Sequence, residues 1–367
     1  MSGRRILMTA DAVGGVWQYA CDLAGELARG GDTVMLAVIG PPPSAAQRRC
    51  LDGAERVRLI ETGLPLDWMC TSTAEAARTA RGLAELARTC RADLVHCNSP
   101  ALVGVAEFPV PVVAVAHGCI ATWWQTAKGG APLDPGLHWH SEMMRRGLMA
   151  ADAAIAPSAS FAASLRATYR LAKMPLVVHN GRTPSTTETG RTPPMDAVLT
   201  AGRLWDPVKN AALLDVVAAR IDLSFLAAGP ARSPHGEEVA LPHMVMLGEL
   251  PGETLAELLA RRPIFVAGAT FEPFGLAVLE AAAAGCALVL SDIATFRELW
   301  AGAALFVAPD DPEGFATAIG HLHANPALRA EMGAAARTRA ARYTPAACAR
   351  GVEAVYRTLL TSREAAA

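Results

Sequence analysis

Residues Ile264–Leu290 read IFVAGATFEPFGLAVLEAAAAGCALVL. A short apolar run, Ile264–Ala267, leads into a loop carrying Gly268, Pro273 and Gly275. An alanine-rich helical stretch then runs to Gly285, and a second apolar run follows at Ala287–Leu290. Two strand-sized runs flanking a helix describe a βαβ unit, whose strands must be parallel. The same alternation extends in both directions. Upstream, strands are expected at Ile6–Ala10, Thr33–Ile39, Asp93–Cys97, Val112–Ala116, Ala153–Ala156 and Leu176–His179. Downstream of residue 195 the series restarts at Ala197–Thr200, Leu223–Ala228 and Met244–Leu247, and continues past Ile264–Ala267 and Ala287–Leu290 to Ala304–Val307. Helical stripes fit between them, for example Val16, Ala20, Leu23 and Leu27 before the Gly30-Gly31 stop, and Ala76, Ala80, Leu83 and Ala87. Two consecutive α/β units of similar size account for this pattern.

A chain of 367 residues exceeds one ordinary core and suits two domains. Hydrophobic residues make up 52% and charged ones 19%, which excludes disorder. The apolar runs are strand-sized and too short to cross a membrane. The N-terminal MSGRRILMTA reads as a first buried strand rather than a signal peptide. A cytoplasmic location follows as the expectation, with peripheral attachment to the inner membrane face left open. The net charge of −2 provides no field for nucleic acid, and none is expected as a partner. Eight cysteines, at 21, 50, 70, 90, 97, 119, 286 and 348, contain no CxxC pair and are expected to be reduced thiols serving as small hydrophobes.

The polar, proline-bearing segment Arg182–Pro194 reads as a linker. It separates a first domain, 1–182, from a second, 195–344. The tail from Pro312 is helical apart from Asn325-Pro326 and Thr344-Pro345, each able to begin a helix. The last helix, 345–367, carries Val352, Val355, Tyr356 and Leu359 as an apolar stripe suited to packing back on the first domain.

Three stretches can carry chemistry. Gly14-Gly15, between the first strand and first helix, offers backbone N–H groups and a helix dipole to an anion, or serves only as a turn. It lacks GxGxxG, which counts against a dinucleotide oxidoreductase. In AGRLWDPVKN, Ala201–Asn210, Arg203 and Lys209 follow the first strand of the second half, where ligands of open α/β sheets bind. Two cations there suit a pyrophosphate. In FEPFGLAVLE, Phe271–Glu280, Glu272 lies in a loop and Glu280 in an otherwise apolar helix, where it needs a partner. Ionised carboxylates accept hydrogen bonds from sugar and ribose hydroxyls.

Glu272 and Glu280, spaced Glu-x7-Glu within FEPFGLAVLEAAAAG, resemble the donor-site motif of retaining glycosyltransferases of family 4. The resemblance covers nearly the whole chain in order. It runs through GGV at Gly14–Val16, AHG at Ala116–Gly118, HNG at His179–Gly181, GRL…KN at Gly202–Asn210 and SDIATFREL at Ser291–Leu299. It implies a GT-B fold: two Rossmann-like domains facing across a cleft, the first for acceptor and the second for nucleotide-sugar donor, with the last helix crossing back to the first domain. Arg203 and Lys209 would hold the donor diphosphate, with the backbone of Gly15 nearby. Glu280 would bind the ribose. Glu272 and the amides of Phe274, Gly275 and Leu276 would hold the transferred sugar. His117 would face that sugar from the first domain, and Glu298 falls where the family often has an acid near the donor. The implied catalytic set is His117, Arg203, Lys209 and Glu272. The implied reaction is sugar transfer from a UDP- or GDP-sugar to a hydroxyl acceptor, such as a saccharide or glycolipid, with retention and without metal or other cofactor. A front-face route is implied, in which the leaving diphosphate helps deprotonate the acceptor. The absence of a DxD triplet agrees with metal independence.

The acceptor half does not match a particular subfamily. Trp68, Trp123, Trp124 and Trp139 are four of seven tryptophans and offer stacking faces for an acceptor, or serve core packing. Lys128, Arg145 and Arg146 are candidate anion contacts or solvated helix ends. A nucleotide-sugar epimerase of the same fold and a catalytically silent sugar-nucleotide binding subunit remain alternatives.

Overall fold

Parallel strands need helices on both faces, so their central members are buried on both sides. The computed structural model, which describes residues 3–183, 194–233 and 236–364, has this form twice over. The segment between Thr183 and Pro194, read as a linker, lies outside the described residues. Two units divide the chain. The first is Met1–Gln125, Gly130–Gly181 and Thr344–Ala367; the second is Thr126–Gly129 and Arg182–Tyr343.

In the first unit the strands are β1 (Arg5–Ala10), β2 (Thr33–Val38), β3 (Val57–Glu61), β4 (Leu94–Cys97), β5 (Val112–Val115), β6 (Ala153–Ala156) and β7 (Leu176–Val177). They form one parallel sheet ordered β3-β2-β1-β4-β5-β6-β7. The sequence reading omits β3, because this edge strand is half exposed and its apolar signal is diluted. It also runs β7 two residues too long. The strand order reverses between β1 and β4, so the loops after these two strands leave the same edge in opposite directions and open a crevice between them.

The helix Pro345–Glu364 belongs to this unit. Val352 and Tyr356 are fully buried, and Val355 and Leu359 pack with them against Ala20, Leu23 and Leu27 of the helix Gly15–Arg29. Tyr356 Oη lies 2.7 Å from Nδ1 of the fully buried His96, and Tyr19 Oη lies 3.3 Å from its Nε2. One buried imidazole thus links β4 to two helices. The cysteine expectation needs correction at two positions. Cys21, on the buried side of the helix Gly15–Arg29, forms a disulfide with Cys50 in the turn Arg49–Leu51, the Cα atoms 6.3 Å apart. Their 29-residue separation has no motif, so only tertiary proximity reveals the pair.

The second unit holds β8 (Ala197–Ala201), β9 (Ser224–Ala228), β10 (Val245–Gly248), β11 (Ile264–Ala267), β12 (Leu288–Ser291) and β13 (Leu305–Val307), parallel and ordered β10-β9-β8-β11-β12-β13. Successive residues serve opposite cores. Phe265, Leu288 and Leu290 join Phe296 and Trp300 on one side, while Ile264, Val266 and Val289 join Leu214 and Phe315 on the other. Burying each such side chain contributes about 1.5–3 kcal/mol. At the carboxyl edge, Gly229 adopts φ +129°, and a Cβ there would lie 1.8 Å from the carbonyl oxygen of Gly202.

Two stability predictions follow from these contacts. Gly229→Ala combines a disallowed φ with a backbone clash, so it should cost more than about 2 kcal/mol; an unchanged urea midpoint would contradict the close approach. Burial lowers the His96 pKa from 6.5 to about 3. Below pH 6.5 the unfolded chain takes up a proton that the folded His96 refuses, so stability falls on acidification. Between pH 7 and pH 5 this one group should remove about 2 kcal/mol. The pH dependence of the unfolding free energy from urea titrations should be shallower by that amount in His96→Gln; parallel curves would mean that His96 is not held neutral.

Candidate active site

The second unit's strand order reverses between β8 and β11, so the loops after these strands meet at the carboxyl edge of the sheet. The first loop carries Gly202–Asn210. Asp206, buried, accepts from the backbone N–H of Val208 at 3.3 Å and so starts the 3-10 turn Pro207–Lys209. Asn210 follows in the left-handed region, φ 58°. Its Nδ2 donates to the carbonyl oxygens of Gly268, at 3.1 Å, and Pro309, at 2.8 Å, joining the loops after β8, β11 and β13. Thr270 N–H donates to the Val208 carbonyl at 2.8 Å. These bonds fix the two loops against each other.

On that frame Lys209 Nζ and Glu272 Oε2 form an ion pair, with side chains 25% and 15% exposed. Arg203 is paired with Asp206 at 2.9 Å, and its guanidinium lies 5.7 Å from the ring centroid of Trp205. Its side chain is 53% exposed, which leaves it accessible to an anion. Gly275, φ +92°, turns the chain into the helix Leu276–Ala284. Among the three residues at this turn, Phe274 has its side chain committed to the core, edge-on to Tyr343 with centroids 5.7 Å apart. A ligand can therefore use its backbone but not its ring. Leu276 opens the helix and is half-buried.

Glu280, one turn further on, meets Arg182: Nε to Oε1 is 2.5 Å, with both side chains about one-fifth exposed. Arg182 is a residue the sequence reading passed over, because it sits at the start of a segment read as linker. The only sequence signal for it was the demand that Glu280, on an apolar helix, have a cationic partner. Glu298 lies half-buried on the helix Ala294–Trp300.

In the first unit, Gly15 begins the helix Gly15–Arg29, exposed, with Gly14 extended before it. His117 follows β5. Its Nε2 lies 2.8 Å from Asn98 Oδ1, and the Tyr19 ring packs edge-on to it with centroids 4.4 Å apart. Burial lowers the His117 pKa from 6.5 to about 4, so the imidazole is neutral at physiological pH. Asn98, another residue missed from sequence, follows β4 and is anchored to β1 through both its side chain and its backbone.

The tryptophans fall into separate local settings. Trp123 and Trp124 pack edge-on at 6.4 Å, and Trp124 Nε1 donates to the Pro132 carbonyl at 2.9 Å. Trp139 packs on His140 at 5.5 Å, and His140 is hydrogen-bonded at 2.9 Å to Asp67, the neighbour of Trp68. Trp68 is 48% exposed, whereas Trp123, Trp124 and Trp139 are half-buried. Arg145 and Arg146 both pair with Glu142, at 2.7 and 2.8 Å, and Lys128 is exposed. Among the described residues, no helix is long and apolar enough to cross a membrane.

Comparison with known proteins agrees with the fold of both units. Residues 13–185 match the model of Glycosyltransferase Family 4, and residues 196–325 match Glycosyl transferases group 1. A GDP-mannose-dependent alpha-mannosyltransferase of Mycolicibacterium smegmatis is 31% identical over 222 residues, 56% of this chain and 58% of that protein. A phosphatidyl-myo-inositol mannosyltransferase of the same organism is 32% identical over 173 residues, 44% of this chain and 45% of that protein. The matches thus span about half the length of these curated relatives. Among solved structures, sucrose-phosphate synthase from Thermosynechococcus elongatus superposes with a TM-score of 0.78 at 19% identity, covering 98% of this chain and 100% of that one. HepE of Anabaena, in complex with UDP and glucose, gives 0.72 at 16% identity over 97% and 100%. Strand order and the two family matches, one on each unit, converge: the chain is a family 4 glycosyltransferase with the GT-B fold.

Proposed function

We propose that the donor is GDP-mannose, that mannose is transferred with retention to a hydroxyl of a saccharide or glycolipid, and that no metal takes part. The observation that carries this reading is the meeting of Lys209 with Glu272 on loops at the carboxyl edge of one sheet, and of Arg182 with Glu280 on the helix that follows. Cations for a diphosphate and acceptor-only carboxylates for hydroxyls stand side by side, as a nucleotide sugar requires. Mannose is favoured because both curated relatives are mannosyltransferases, one of them named for GDP-mannose.

In this reading Lys209 and Arg203 hold the diphosphate and stabilise the charge it gains as the bond from sugar C1 to phosphate oxygen breaks. The acceptor oxygen bonds to C1 on the same face, and its proton passes to a diphosphate oxygen. Glu280 accepts from the ribose hydroxyls while keeping Arg182. Glu272 and the backbone at Phe274–Leu276 orient the sugar, and neutral His117 is assigned to accepting from a ligand hydroxyl. Trp68, with Trp123 and Trp124, is assigned to the acceptor.

Calorimetric titration in metal-free buffer should give binding of GDP, tighter than UDP, ADP or dTDP, and none of NAD. Lys209→Ala and Glu280→Ala should each weaken GDP by about 10–100-fold, the loss of one charged hydrogen bond of about 1.5–3 kcal/mol. Wild-type affinity in both variants would overturn the site. For stereochemistry, the first anomer of mannose released when the protein slowly hydrolyses GDP-α-mannose should be α by proton NMR. A β product would exclude retention, and an epimerised nucleotide sugar would favour the epimerase alternative.

A further inference from the structure

The orientation of a buried amide decides what a neighbouring imidazole can do. Asn98 is 8% exposed and lies at the crevice where the first unit's strand order reverses. Its Nδ2 is 2.6 Å from the carbonyl oxygen of Thr9, and its own backbone N–H donates to Thr9 Oγ1 at 2.8 Å. A backbone carbonyl only accepts, so the amide nitrogen must face Thr9 and the amide oxygen must face away. That oxygen lies 2.8 Å from His117 Nε2. An amide oxygen also only accepts, so Nε2 must carry a proton.

We propose that Asn98 is a positioning residue for His117, holding its imidazole as the Nε2–H tautomer so that Nδ1 is presented as an acceptor to a ligand hydroxyl. The ligand contact rests on the proposed function above; the tautomer rests on Thr9, Asn98 and His117 alone. The surroundings agree. The groups that face this imidazole are Tyr19 from the helix Gly15–Arg29 and His96 from β4. Burial raises the Tyr19 pKa and lowers that of His96, so both are neutral near pH 7, and burial likewise lowers the His117 pKa. A neutral imidazole has one donor and one acceptor nitrogen, and Asn98 takes the donor. In a chain with aspartate at this position the same geometry would favour imidazolium, which can only donate.

The test uses full-length protein labelled with 15N-histidine and long-range proton–nitrogen spectra at pH 7, which distinguish protonated from unprotonated ring nitrogens. His117→Gln assigns the resonances by their loss among nine histidines. His117 should show a protonated Nε2 and an unprotonated Nδ1. In Asn98→Ala the two nitrogens should move toward an average of both tautomers, and in Asn98→Asp both should become protonated. A protonated Nδ1 in the native chain, or an unchanged His117 spectrum in Asn98→Ala, would overturn the assignment. Where one variant does not fold, the other decides. Function is read separately on Asn98→Ala. Its GDP affinity should stay within about twofold of wild type, while kcat/KM for GDP-mannose turnover should fall about 10–100-fold. A wild-type kcat/KM would overturn the ligand contact. Native protein that fails to bind any nucleoside diphosphate would instead defeat the donor reading, and with it the ligand contact, leaving the tautomer to the spectra.

Discussion

β8 and β11 lie side by side although two strands and their helices separate them in sequence. Most of the second unit's chemistry depends on that adjacency. The chain leaves β8 toward one side of the sheet and β11 toward the other, so no connection crosses the gap between their carboxyl ends. Lys209 and Glu272, 63 residues apart, can meet there only because of it. Asn210 then ties the β8 loop to the loops after β11 and β13, which turns two flexible connections into a rigid frame. Gly202 and Gly229 bring two backbones closer at the same edge than any side chain would allow. Rigidity matters because a group that stabilises a transient charge must already be in place when the charge appears.

The charges on this frame are matched in pairs: Lys209 with Glu272, Arg182 with Glu280, Arg203 with Asp206. Half-buried ions without partners would be costly, so pairing stabilises the ligand-free fold. It also shapes selection. In the proposed reading a diphosphate arriving alone meets the cations but offers nothing to the carboxylates. A sugar arriving alone offers hydroxyls to the carboxylates but nothing to the cations. Under the proposed reading only a molecule carrying diphosphate, ribose and sugar together meets both sets of needs, and affinity becomes a difference between two satisfied states. Lys209 has three donor hydrogens, so it can keep Glu272 while it gains phosphate.

The parallel α/β character was legible from Ile264–Leu290 because fully buried strands are uniformly apolar and the intervening helix has glycines at both ends. Edge strands were less so: β3 alternates only weakly because one face is wet. Glu272, Glu280, Arg203 and Lys209 could be found because their types and spacing are unusual for loops and apolar helices. Their partners could not. Arg182 and Asp206 look like ordinary linker and turn residues, and only the folded backbone brings their charges to bear. Asn98 is still less visible, since its role depends on which way an amide points against Thr9. The Cys21–Cys50 pair escaped for the same reason, as distance along the chain says nothing of distance in space.

The first unit treats His96 and His117 differently, and the difference follows from burial. His96 is fully enclosed and spends both ring nitrogens on tyrosine hydroxyls, so it can only be structural. His117 is half-buried and has one nitrogen assigned to Asn98. Tyr19 joins them, giving its hydroxyl to His96 and its ring to His117. Tyr356, through His96, brings the C-terminal helix into the same set, and Arg4 lies over the Tyr356 ring while pairing with Asp32 and Glu353. In a low-dielectric interior such a chain constrains each member through its neighbours, because an unsatisfied polar group there is expensive. Removing the Tyr356 hydroxyl would leave Nδ1 of the buried His96 without its partner, in the same set of contacts that holds Tyr19 against His117.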